Sequence, residues 1–206
     1  MWGIGITWLA GVGRYWDNPR AEVWQFIGMG SVVYLFIFSL LLWAVIKPLR
    51  PANWSYRGVV VFVSLTSLPA LLYAIPVERW TSLSTAQDLN VGFLSVVAAW
   101  RVALLGTHLQ RAAKLGWFGA VVGTLTPLVL IIVALAYLNL EHVIFRLMGG
   151  LRDGEATAND AAFEVVLLMA GTALVASVPL LVCYVVLVVA RRKKTAEADR
   201  STDTPT

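Results

Sequence analysis

The chain has 206 residues, 59% of them hydrophobic and only 14% charged, with a formal net charge of +4 and a mean hydropathy of +0.75. Soluble domains carry about 25% charged residues, so this composition excludes an ordinary soluble domain. The absence of a clustered basic patch excludes a nucleic-acid binder. What remains is an all-α integral membrane protein.

The N-terminal run MWGIGITWLAGVG lacks the positively charged start of a signal peptide, and its apolar part, about a dozen residues, is too short to span a bilayer. A spanning helix needs about 20 mostly apolar residues for a hydrocarbon core of about 30 Å. Five segments qualify: 23–46, 58–75, 89–109, 117–139 and 161–190. Lipid offers backbone polar groups no partner, so all five are predicted as helices. The fifth is long enough to tilt, kink or emerge from the bilayer. Between the last two, EHVIFRLMGGLR (141–152) places Val143, Ile144, Leu147 and Leu151 on one helical face, which predicts a short interfacial helix. Residues 195–206 are polar and read as a disordered tail. No linker interrupts the pattern, so residues 1–194 read as one transmembrane domain.

Orientation follows from lysine and arginine. One set of connections holds Lys47, Arg50, Arg57, Arg111, Lys114, Arg191, Arg192, Lys193, Lys194 and Arg200; the other holds Arg14, Arg20, Arg79, Arg146 and Arg152. The richer set is expected to be cytoplasmic, with the N-terminus outside, the C-terminus inside and residues 141–152 on the outer side. A multi-pass protein of a bacterial-type inner membrane is the expected setting. Trp16, Trp24, Trp43, Trp54, Trp80 and Trp117 lie near the span boundaries, where amphipathic rings prefer to sit.

Arg101 is the sixteenth basic residue and lies inside the third span, in WRVALLGTHLQR. An arginine at a helix centre costs about 2.5–3.5 kcal/mol on insertion scales, so it should face protein or water. Three prolines follow small hydroxyl residues: Pro69 in TSLP, Pro127 in TLTP and Pro179 in SVP. Each frees the carbonyl four residues earlier, that is, those of Leu65, Gly123 and Val175. With Thr66, Thr124, Thr126 and Ser177 nearby, these make a candidate intramembrane polar cluster around Arg101. The alternatives are snorkelling to the interface and a solute or ion site.

On the other side, Glu78, Arg79 and Glu164 are candidate polar residues. Glu164 sits one turn into the fifth span, behind Thr157 and Asp160 in capping-box spacing. The loop 153–164 has acids at positions 1, 3 and 12 of a calcium-type loop, but Ala158 stands where the turn needs glycine. His108 and His142 fall on opposite sides and cannot share a metal. No catalytic, cofactor-binding or metal-binding set emerges. Gly119 and Gly123, with Thr124, have the spacing that lets helices approach closely.

The stretches NWSYRGVVVFVSLTSLPALL and LQRAAKLGWFGAVVGTLTPLVLI resemble the loop, basic residue, SLP-containing helix and basic turn of bacterial members of the Yip family, the Ypt-interacting proteins. Five spans fit that family too. The resemblance covers Trp54 to about Leu130. It lacks a DLYGP-type signature, and the family's N-terminus is cytoplasmic. It implies a non-enzymatic membrane organiser and transfers no catalytic residue.

Three functions follow as expectations. The first is a non-enzymatic protein that binds a membrane partner, a lipid or another copy of itself. The second is a small-solute transporter or channel component with a polar path at Arg101. The third is a membrane enzyme using carboxylates of the outer face. An apolar groove between helices, a wet cavity at Arg101, or converging carboxylates would distinguish them.

Overall fold

A computed structural model describes residues 2–15, 23–137 and 160–202. Among them the chain is helical, with no strand. The helices are α1 (Trp2–Tyr15), α2 (Val23–Phe26), α3 (Met29–Ile46), α4 (Tyr56–Leu65), α5 (Leu83–Arg111), α6 (Trp117–Tyr137) and α7 (Asp160–Thr202). Tighter 3-10 turns cover Lys47–Leu49, Leu68–Ala74 and Val77–Arg79. Four stretches are long and apolar enough to cross a membrane: Met29–Leu49, Leu83–Arg111, Trp117–Ala134 and Leu168–Lys194. The pair Tyr56–Leu65 and Leu68–Ala74, bent by 44°, makes a fifth if counted as one. The protein is thus a multi-pass, all-α membrane protein.

Local chemistry sets where the helices break. The first expected span, 23–46, divides at Gly28, which takes a left-handed φ of 69°. The second, 58–75, divides after Leu65. There the Thr66 and Ser67 hydroxyls donate back to the Val63 carbonyl at 2.8 and 3.3 Å. Such back-bonding competes with helix continuation, and Pro69 then supplies no amide to resume it. The third helix is longer than expected, because the Ser82 hydroxyl accepts from the Thr85 amide and caps its start at Leu83. The fourth is helical over Trp117–Tyr137 and carries Pro127 inside it; residues 138–139 lie outside the described residues. The fifth continues as helix to Thr202. Residues 195–202, expected as part of a disordered tail, continue this helix, with Ala196 and Ala198 as good helix formers; residues 203–206 lie outside the described residues. So does the expected interfacial helix at 141–152.

The N-terminal run, too short to span, is packed into the bundle. Helix α1 lies against α3, α4 and the Leu68–Ala74 turn. A Cβ on Gly3 would collide with the Ser64 side chain, and one on Gly11 would stand 2.5 Å from Ser31 Oγ. Glycine is what allows this approach. The indole of Trp8 donates to the Ile27 carbonyl at 2.8 Å and ties α1 to the start of α3.

The main core lies toward the end of the bundle that carries Lys47, Arg57 and Arg111. Leu42, Ile46, Leu49 and Leu109 are fully buried there, together with Ala120. Two loops close this end, joined by the Ala52 amide donating to the Ala113 carbonyl at 2.8 Å. Helix α7 leans on α6 and is anchored at two points. The Tyr184 hydroxyl donates to the Val45 carbonyl at 2.7 Å, and Arg191 Nη1 donates to the Leu49 carbonyl at 3.1 Å.

Candidate functional site

Helix α5 carries two working faces. On one, Val97, Leu105 and Leu109 are buried, and Arg101 shares their register. Arg101 is partly buried. Its Nε is enclosed without a hydrogen-bond partner.

Three of the four hydroxyls expected around it have other partners. Thr66 donates to Val63 O at 2.8 Å, Thr126 to Val122 O at 2.7 Å and Ser177 to Leu174 O at 2.7 Å, each on its own helix or the helix before it. Thr124 is only 6% exposed, and its Oγ1 has no partner. No hydrogen bond joins Arg101 to any of the four among the described residues. Pro69 sits in the turn after the break, Pro127 is buried inside α6, and Pro179 is exposed on α7. The seven do not assemble as one bonded cluster about Arg101.

Glu78, Arg79 and Glu164 belong to the opposite end of the bundle in the sequence-based expectation. Glu78 and Arg79 lie in the Val77–Arg79 turn, and Arg79 is exposed. The side chains of Glu78 and Glu164 lie outside the described residues, as do His142 and most of the loop 153–164. His108 stacks on Phe62, with ring centroids 4.4 Å apart, and tilts against Trp54 at 5.9 Å. It is a packing residue of the basic end. Among the described residues no group of three His, Cys, Asp or Glu could hold a metal ion.

The second face of α5 forms a groove with α6. Its volume is about 400 Å³, and its walls include Ala103, Gly106 and Gln110 from α5 and Ala120, Thr124 and Leu125 from α6. Small residues open it: Gly106 has no side chain, and the nearest atom to a Cβ placed there is Thr124 Oγ1 at 3.8 Å. Pockets of 300–1,000 Å³ are of ligand size. Sequence reasoning missed the α5 wall. The signal lay in Ala103 and Gly106, small residues three apart and close to the more conspicuous Arg101. On α6 the spacing of Gly119 and Gly123 was legible, and both face side chains of neighbouring elements. A Cβ on Gly123 would meet Leu109 and Leu49, and one on Gly119 would meet the Arg191 guanidinium at 3.3 Å. These glycines make room for side chains at the basic end.

The fold and the groove define a class, a helical multi-pass membrane protein with an intramembrane cleft. No family model, no curated protein and no solved structure matches the chain.

Proposed function

We propose that this is a non-enzymatic membrane protein that binds a membrane partner along the α5–α6 groove. The observation that carries this reading is the groove itself, a cleft of about 400 Å³ floored by small residues and a buried hydroxyl between two span-length helices. The resemblance of residues 54–130 to Yip-family membrane organisers is in keeping with it. A photoreactive amino acid at Ala103, inside the groove, tests it in native membranes against the same group at Val182, exposed on α7. Ala103 should yield one dominant adduct of discrete mass, whereas Val182 should yield the bulk lipid mixture. Matching mixtures at the two positions would dismiss the reading.

One observation favours a second reading, a small-solute transporter or channel component. Arg101 Nε is enclosed in the bundle with no acceptor, and an anionic solute group would supply one.

A further inference from the structure

The two ends of the α5–α6 groove differ in character. At the inner end of the bundle, the groove finishes at Gln110, next to Arg111 and four residues from Lys114. Both basic side chains are exposed, and among the described residues neither has an ion-pair or hydrogen-bond partner. Lys47, Arg50 and Arg57 stand at the same end, and no Asp or Glu occurs in either connecting loop, 47–57 or 111–117. From Gln110 the groove runs to Val102, about 12 Å along the helix axis. That is most of the roughly 15 Å of hydrocarbon in one leaflet. Beyond Gln110 its walls turn apolar, through Ala103, Val121 and Leu125, with one unsatisfied group among them. That group is the Thr124 hydroxyl, nine-tenths buried and facing Gly106. Gly106 lies about 7–8 Å below Arg111 along α5, a separation comparable to that of the glycerol ester carbonyls from the phosphate in a phospholipid.

We infer that the groove holds one anionic phospholipid, its phosphate between Arg111 and Lys114, an ester carbonyl accepting from Thr124, and an acyl chain against Ala103 and Leu125. A helix from a second protein fits less well. It would bring no negative charge to the basic end by necessity, and a helix about 10 Å wide is not seated by a cleft whose floor is one glycine deep.

This inference rests on the groove-binding reading above and adds the identity of the occupant. The test is native mass spectrometry of the full chain, released from nanodiscs containing equal phosphatidylglycerol and phosphatidylcholine with matched acyl chains. The wild type should retain one phosphatidylglycerol, favoured about thirty-fold over phosphatidylcholine, from roughly five-fold for each of two basic residues. Arg111→Ala with Lys114→Ala should abolish the preference. Ala103→Phe should fill the cleft and release both lipids; Ala103 is exposed, so the substitution leaves the core alone. Thr124→Val keeps shape and removes an unpaired hydroxyl. It should fold at least as well as wild type and still lose about five-fold in retention, a separation that a purely structural role would not produce. Equal retention of the two lipids by wild type, or undiminished retention by Thr124→Val and Ala103→Phe, would overturn the inference. If Ala103 instead crosslinks to one discrete protein or to a second copy while no lipid is retained, the lipid assignment fails and the groove-binding reading stands.

Discussion

Arg101 and Thr124 are the two described side chains with buried polar atoms that meet no hydrogen-bond partner. They differ in what removal should do. Removing one partner of a buried charge pair is costly, but Arg101 has no ion-pair or hydrogen-bond partner among the described residues to be stranded. Arg101→Leu is therefore expected to leave the fold intact and to keep or raise the unfolding free energy, by up to about 3 kcal/mol, in denaturant titration in detergent micelles. Collapse of the folded yield would show that the guanidinium holds the helices together, as the sequence alone led one to expect. Loss of anion flux in proteoliposomes with the fold preserved would favour the transport reading. At this scale the sequence was half legible. It located the costly arginine, because one charge in an apolar run is conspicuous. It could not reveal the partners of the hydroxyls, because Thr66, Thr126 and Ser177 each have a carbonyl one turn back, and that local option needs no tertiary information to win. Arg191 was read only as part of a basic run, yet it bonds the Leu49 carbonyl. Arg191→Ala should cost about 1.5–3 kcal/mol, the range for a hydrogen bond from a charged donor, read in the same titration.

At the scale of elements, periodicity located the spans well and their interruptions poorly. Spans 89–109 and 117–139 reappear as α5 and α6 because continuous apolar runs leave helix as the sole arrangement in lipid. The break at Thr66 and Ser67 was foreshadowed by Pro69, whose effect on the backbone is local. The docking of α1 was not, because it depends on a glycine face meeting Ser31 and Ser64, which are distant in sequence. That docking gives a direct prediction. Gly11→Leu overpacks the contact with Ser31 and should cost about 1–3 kcal/mol. Hydrogen exchange should accelerate across Trp2–Tyr15 while α5 and α6 keep their protection. Unchanged exchange in α1 would mean that the close approach does not hold it in place.

For the whole molecule, the asymmetry of charge is the feature that sequence and structure share. The closed end formed by the loops around Ala52 and Ala113 is the end that carries Lys47, Arg50, Arg57, Arg111 and Lys114. With Cys183 replaced by serine, single cysteines at Asn53 and at Ser82, both exposed, report on opposite ends. A membrane-impermeant thiol reagent added to intact cells is expected to label the Ser82 position and spare the Asn53 position. The reverse pattern would invert the orientation drawn from the lysines and arginines. Charge counting predicts sides because it needs only loop composition. It could not find the groove, which exists only once two helices cross.

The wedge formed by α1 also constrains the order of events at the ribosome. Its seat is made from Ser31, Ser64 and Ala74, all translated later than the helix they receive. At about 5–20 residues per second, a nascent 14-residue segment, too short to integrate by itself, must wait several seconds for its berth. During that interval it needs a guardian, either the insertion machinery or the interfacial zone of the bilayer.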